Sequence, residues 1–558
     1  VNYLRWVRSA ALAVVLFSCV DRLSVGEAAP PSGGRNGNPA GGEPSFGGSA
    51  SGAGSLPADR GGRGGAMLSE SGGALTEAGG GGGSSPGEGG SSVANAGNGE
   101  SGAAGGPNSE CAKTVASASV SSPADAEQLR GVSEVQGRLV IRGTVANLEA
   151  LGCLESVGDL EISDAALLQR LDGLGNLKRV GSMQILRNYA LTDISGIRSL
   201  REIARDLRIV INPELTSLAG LGGITEVPGL LDLLSNEKVE SLTALSALER
   251  AGSITIYKMQ GLTTLDGLEG LKFLNGSLIL QQNLTLTSLA ALSNLQEVTQ
   301  LQISESPLLE NLVGLEKVQV VQALGIAGNA HLRTLEGLRA PSSLDSLLIQ
   351  GNPELTSIEL LVGLTSVRIF MKFSQLPSLG SLRGLDKLVS IGADDPVPYA
   401  LTLEQLGITD LQGLKALKQV SNLNIENNLE LVSLNGLNPS IELRSLYLAV
   451  NPALEDVSAL SGLTRLEQDL ALMDCDSLTN LEPLQRLTHV RNLALVDNDS
   501  LLSLHGLAGL ETIADYLRIE DNRALPTCEA VWLLNNLSVG LPDASFTIGG
   551  NGTGACAP

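Results

Sequence analysis

Leu347-Leu348-Ile349-Gln350-Gly351-Asn352-Pro353-Glu354-Leu355 decides the fold, because its pattern comes back every 23 or 24 residues through most of the chain. Read outward, the unit is L-x-I-x-x-N-x-x-L-x-x-L-x-G-L-x-x-L-x-x-V. A fixed period of this size marks supersecondary units stacked in a row. Leu207, Ile209, Asn212, Leu215, Leu218, Gly220 and Leu221 form another copy; so do Leu493, Leu495, Asn498, Leu501, Leu504, Gly506, Leu507, Leu510 and Ile513. The Asn position recurs at Asn188, Asn212, Asn236, Asn283, Asn329, Asn352, Asn428, Asn451, Asn498 and Asn522.

An apolar pair two residues apart predicts a short strand whose alternate side chains enter a core. The Asn that follows carries donors and an acceptor, so stacked Asn residues can satisfy backbone groups freed where each turn leaves the sheet. That gives the Asn ladder a structural role. Gly after the third Leu permits a tight corner or a positive φ. No single unit can bury its Leu face alone, so neighbours must share one continuous core. Seventeen strand pairs run from Leu139 through Leu347, Ile369 and Leu401 to Leu517. At about 4.8 Å per strand they predict a solenoid roughly 80 Å long.

The unit resembles the repeat of the receptor L-domain family, the leucine-rich right-handed β-helix of growth-factor receptor ectodomains and many bacterial surface proteins. The resemblance covers roughly Cys111 to Cys556. It implies a mainly β, right-handed β-helix-like solenoid of about 17 turns, closed by short helical caps, and it carries no chemistry. The run is longer than one domain of that family, so two L-like halves with a seam near residues 392–400 are one arrangement and a single solenoid is the other. A leucine-rich-repeat horseshoe is the alternative form.

Residues 1–29 read as an export signal: Arg5 and Arg8 precede an apolar run from Ala10 to Phe17 that is too short to span a membrane. Leu16-Phe17-Ser18-Cys19 resembles the bacterial lipobox, which would make Cys19 the acylated mature N-terminus of an outer-membrane lipoprotein; cleavage near Gly26-Glu27-Ala28 would instead give a secreted or periplasmic protein. Residues 30–110 form a Gly/Ser/Ala-rich linker, with 28 Gly among residues 31–108. Such a segment cannot bury enough apolar surface to offset its chain entropy, and it is read as a disordered tether.

Cysteine placement fits an oxidising compartment. Cys111 and Cys153 flank the first turn, Cys528 and Cys556 flank the last, and pairing within each set is the simplest arrangement. Cys475 stands where the repeat has Asn and reads as a buried, inert thiol. Ser122-Pro123-Ala124-Asp125 predicts a helix start, Thr527 a cap for a helix through Leu537, and Phe546-Thr547-Ile548 a final strand.

The interval between Leu385 and Leu401 is longer than its counterparts, and the Asn is lost at Ser374 and Leu406. The added Asp394-Asp395-Pro396-Val397-Pro398-Tyr399 is a Pro-locked loop on the outside of the solenoid, where insertions often carry the binding face. Asp394, Asp395 and Tyr399 are therefore the first candidate ligand-binding residues. A second candidate is the column Asp474, Asp497 and Asp521, at one position of three successive turns with Glu426 and Glu520 taken as neighbours, where a bound cation or basic partner would relieve repulsion. The simpler reading is a turn cap facing solvent.

His331, His489 and His505 lie in different turns, and the sequence has no H-E-x-x-H, G-K-[ST] or G-x-S-x-G motif. No catalytic residues, metal ligands or cofactor are assigned. The net charge is −23, of which −21 falls on residues 109–558, which disfavours nucleic acid and anionic membranes. The expected function is that of a monomeric cell-surface recognition or adhesion scaffold without enzymatic activity, binding a surface protein or glycan and touching membrane only through a lipid anchor. A structural envelope protein and a carbohydrate-active β-helix enzyme are the alternatives. A contiguous face of aromatic and amide side chains would favour glycan binding, and three converging carboxylates would favour an enzyme.

If Cys19 is acylated, Cys19→Ser moves the protein from the membrane to the soluble fraction. A wild-type protein already soluble, with its mature N-terminus near Ala29, overturns the lipid anchor.

Overall fold

The computed structural model describes residues 111–339, 341–392, 400–538 and 545–554. The export signal with Cys19, the Gly-rich linker, the insertion with Asp394, Asp395 and Tyr399, and Cys556 lie outside them. The described chain is a leucine-rich-repeat solenoid, mainly β, whose strands all join one parallel sheet. Register follows the apolar pair: Leu324 pairs with Leu347, and Leu347 with Met371. Each pair therefore stacks on the pair before it. On the far side the chain makes short 3-10 turns such as Asp172–Leu174, Ser195–Ile197 and Ala219–Leu221. Their Leu and Ile side chains complete a core that is fully buried from Leu139 to Leu533.

Turn stacking explains the Gly of the repeat. A Cβ at Gly173 would fall 1.7 Å from the carbonyl oxygen of Leu148, and one at Gly506 2.1 Å from that of Leu481. Neither has a positive φ. At these positions close approach of successive turns is the requirement.

The residue before each ladder position is left-handed throughout, from Asp164 (φ 50°) and Arg187 (φ 53°) through Gly328 and Gly351 to Asp521 (φ 61°). This kink turns the chain out of the sheet and aims the next side chain back along the solenoid. Asn212 shows the result: its Oδ1 accepts from the backbone N–H of Asn188 at 3.0 Å, and its Nδ2 donates to the Ile185 carbonyl at 3.0 Å. Its own N–H donates to Asn236 Oδ1. Each amide thus satisfies the turn before it and is satisfied by the turn after. All ten predicted Asn residues are fully buried. The ladder has a further member at its end, Asn551, which accepts from the Asn522 N–H at 3.2 Å.

Two expectations need correction. The inward strand pair of the turn before the insertion is Met371 and Phe373, both fully buried, and not one starting at Ile369. Its ladder position is accordingly Leu376, paired with Leu406, so Asn is replaced by Leu in two successive turns and Ser374 lies on the outer face. The strand ladder passes the insertion through Met371–Leu401 and Ser390–Gln419 pairs. Cys475 occupies an Asn slot as expected, its N–H donating to Asn498 Oδ1, and burial pushes its thiol up to about 12.

Both ends are capped. Helix Pro123–Gln128 starts with a capping box in which the Ser122 hydroxyl accepts from the Asp125 N–H and the Asp125 carboxylate accepts from the Ser122 N–H. Cys111 and Cys153 form a disulfide beside it. The terminal helix is Thr527–Asn536 with Pro526, not Thr527, at its N-cap; the Thr527 hydroxyl donates to the Gly552 carbonyl instead. Glu529, in that helix, is buried and accepts from the Leu504 N–H at 2.8 Å and the Ser503 hydroxyl at 2.9 Å. Cys528 is disulfide-bonded, and strand Phe546–Gly549 closes the sheet.

Two variants have opposite expected effects. Asn352→Ala removes the acceptor for the Asn329 N–H and should cost about 1–3 kcal/mol through buried unpaired groups. Val450→Asn should gain about 1 kcal/mol, because a β-branched residue at φ 55° is replaced by one that tolerates this region. Denaturant midpoints check both, and equal values for wild type and Asn352→Ala overturn the ladder's role.

Candidate functional site

Outward strand positions form the other face of the sheet, and pairing differs along it. In the N-terminal turns its charges are matched across rungs: Arg138 with Glu161, Arg205 with Asp159, and Arg208 with Asp232 at 2.9 Å. Around the insertion the pattern changes. Strands Ser366–Leu376, Leu401–Leu406, Gln419–Glu426 and Glu442–Ala449 are consecutive in the ladder. Their register sets Lys372, Thr402, Asn424 and Tyr447 in one row, and Ser374, Glu404, Glu426 and Ala449 in the next. Phe370 and Asn422 stand at the leading edge, each two residues before its row. Rungs in such a sheet are about 4.8 Å apart, so the patch spans roughly 15 Å.

Its chemistry is mixed and incompletely satisfied. Lys372 Nζ lies 2.9 Å from Glu404 Oε2. Glu426 pairs in register with Glu404, and burial first, then the Glu404 charge, raises its carboxyl above the usual glutamate range. Asn424 is 2 % exposed and its Nδ2 has no hydrogen-bond partner; Ser374, 1 % exposed, and Ser421 have unpartnered hydroxyls. These are three of the five such buried side-chain atoms among the described residues. Native interiors rarely leave such groups unpaired. The ends of the insertion adjoin it. Gly392 donates to the Val367 carbonyl, Ala400 accepts from the Met371 N–H at 2.7 Å, and a Cβ on Gly392 would fall 2.8 Å from the Ser421 hydroxyl.

Of the residues named from sequence, Asp394, Asp395 and Tyr399 lie outside the described residues. Asp474, Asp497 and Asp521 do stack in successive turns, each exposed and each directly before a ladder residue, with φ between 50° and 61°. They fill the left-handed column, which Asp tolerates better than most residues. Burial and the charges of Asp497, Asp476 and Asp499 raise the Asp474 carboxyl, while Arg523 pairs with Asp499 at 3.0 Å. No group of three or more His, Cys, Asp or Glu among the described residues could hold a metal. Glu426 belongs to the outer-face patch, where its charged neighbours are Glu404 and Lys372. The histidines have carboxylates the sequence did not show: His331 Nδ1 is 2.8 Å from Glu354, and His505 Nε2 is 3.9 Å from Glu529 with its ring against Trp532. A separate open cleft of about 640 Å³ has both Arg339 and Lys317 and both Glu297 and Glu316 in its walls.

No protein-family model matches the chain, and no curated protein matches it. Solved structures similar to it include the TLR13–ssRNA13 complex, at 17% identity over 76% of this chain and 82% of that one, TM-score 0.32. Others are the internalin InlF of Listeria monocytogenes, at 17% identity over 70% and 88%, TM-score 0.27, and a leucine-rich-repeat protein of Leptospira interrogans, at 16% over 76% and 99%, TM-score 0.26. Scores this low carry no inference about ligand or partner.

Asn424→Leu should leave stability unchanged or raise it by about 1–3 kcal/mol, since it removes an unpaired buried donor; a loss of that size would show that Asn424 supports the fold. Glu426 binds its proton more tightly folded than unfolded, so its contribution to stability falls as pH rises from the ordinary glutamate range through its raised value. Glu426→Gln should therefore stabilise the protein at neutral pH and flatten the dependence of melting temperature on pH above the ordinary glutamate range.

Proposed function

We propose that the protein is an exported recognition or adhesion scaffold without enzymatic activity, and that it binds a surface protein or glycan through the outer sheet face around Lys372, Asn424 and Glu426. The observation that carries this reading is the coincidence of three departures at one place: the ladder changes from Asn to Leu at Leu376 and Leu406, the chain carries an insertion, and buried polar side chains lack partners. Single replacements of the ladder Asn occur elsewhere, at Ala165, Met259, Ser306 and Cys475.

Export is supported by the Cys111–Cys153 disulfide, and the Cys19 anchor and receptor L-domain form of the repeat belong to the same proposal. Asp394, Asp395 and Tyr399, on an insertion whose ends adjoin the patch, extend the proposed binding surface. The acidic column is the weaker site, because its left-handed backbone already accounts for Asp. Among the described residues of the patch two carboxylates, Glu404 and Glu426, stand side by side, and Lys372 is bonded to the first. A hydrolytic or lyase reading would need more.

The test is attachment of beads coated with purified protein to cells or envelope preparations. Deleting Asp394 to Pro398, or introducing Asn424→Leu, should abolish attachment while the melting temperature stays within a few degrees of wild type. Undiminished attachment by both variants overturns the placement of the site.

A further inference from the structure

We infer that a second site, apart from the outer-face patch, binds a short peptide with free termini in the cleft between two successive corners of the solenoid, at Gln319 and Ser343. The repeat itself opens this cleft. Val320 follows Leu315 by five residues, whereas Val298 follows Leu292 and Leu344 follows Leu338 by six. The corner of the middle turn is therefore one residue short. In the turn after it, Pro341 stands where Val318 and Leu364 close their corners, each donating its N–H to the carbonyl three residues back, at 3.0 and 2.9 Å. Proline has no N–H to donate.

Strand pairing at the corner fails between these two turns. It runs from Phe273 to Glu297 and from Glu297 to Gln319, and it resumes from Ser343 to Ser366. Among the described residues no pair joins Gln319 to Ser343; pairing of the two strands begins at Ala323 and Ser346. Strand edges left unpaired present backbone donors and acceptors, which the groups of a peptide match. Space accompanies them: a cleft of about 640 Å³ and a smaller one of about 190 Å³ share Gln319 and Arg339 as walls. The larger falls in the size range of small-ligand sites.

Charge selects the termini. Arg339 and Glu297, both exposed walls of the larger cleft, have no side-chain hydrogen bond or ion pair among the described residues. The other two charges there are engaged: Glu316 accepts from the Gly314 N–H at 3.0 Å, and Lys317 donates to Asn294 Oδ1 at 3.2 Å. An anion alone would leave Glu297 unanswered, and a cation alone would leave Arg339 so. A ligand with a carboxylate at one end and an ammonium at the other answers both. Arg339 belongs to the turn two rungs beyond Glu297, roughly 10 Å along the solenoid. A single amino acid is too short for that offset, while three extended residues span it at roughly 3.3–3.6 Å each.

The experiment is equilibrium dialysis of the full chain against mixed-sequence peptides of one to six residues, read by mass spectrometry, with N-acetylated and C-amidated sets beside the free one. Free peptides of three residues should be retained at least tenfold above single amino acids. Acetylation and amidation should each lower retention at least tenfold. Arg339→Ala should do the same to the free set without moving the melting temperature. Glu297→Gln should lower retention of the free set and leave that of the acetylated set unchanged, which a merely structural role would not produce. No retention of any set, equal retention of free and blocked sets, or wild-type retention by Arg339→Ala overturns the inference. None of these outcomes bears on attachment through the outer face.

Discussion

A side-chain amide bonded to the backbone of the turn before it is the interaction on which the solenoid depends. At Asn212 the acceptor takes one N–H and the donor one carbonyl of the preceding turn, both at 3.0 Å and both buried. An unpaired group there would cost about 1–3 kcal/mol, and the loss would recur at every turn. The geometry demands a left-handed residue immediately before, a conformation suited to Gly351, Asp474 and Asn427 and most strained at the β-branched Ile211 and Val450. Ladder and kink are one device, and the stacking distance they impose also excludes a Cβ at Gly173 and Gly506.

A repeat that fixes its inward and ladder positions leaves only outward positions free to vary. In the first turns these are spent on cross-rung ion pairs such as Arg208–Asp232. Near Met371 and Leu401 the constraint itself relaxes, since Leu376 and Leu406 fill the ladder slot with packing and leave no amide to bond. Strand pairing continues there and the Leu406 N–H still donates to Asn428 Oδ1, but at the ladder slot itself apolar contact, indifferent to direction, replaces the side-chain amide. That permits an added loop and tolerates unpaired polar groups on the adjoining face. Stability is conceded locally, where a ligand could recover it.

How much of this was legible in the sequence depended on period. The Asn ladder and the inward Leu columns were readable because the repeat fixes their spacing, and the helix start at Ser122 and the Cys111–Cys153 pair because they flank the first turn. Asn551 was missed because Phe546 and Ile548 replace the Leu pair that flags other turns. The strand before the insertion was placed two residues early, at Ile369. A shift of two keeps every side chain on its own face but moves it to the wrong row. Phe370 and Lys372 were thus on the correct surface and opposite the wrong neighbours, and Ser374 was taken for the ladder slot, so their alignment with Thr402, Asn424 and Glu426 could not be seen. The acidic column was legible only in part: sequence shows that Asp474, Asp497 and Asp521 align, but not that φ is positive there.

Long-range charge and local pairing act on different stages of recognition. The acidic solenoid sets which ligands approach, an effect that salt screens over about 8 Å at physiological ionic strength. At the patch around Lys372 the interactions are shorter in range: the Lys372–Glu404 pair and a Glu426 carboxyl biased towards its protonated form. Charges are also matched across the N-terminal rungs, as between Arg208 and Asp232, so local neutrality alone does not single out the patch; at the patch it coincides with buried polar side chains that lack partners.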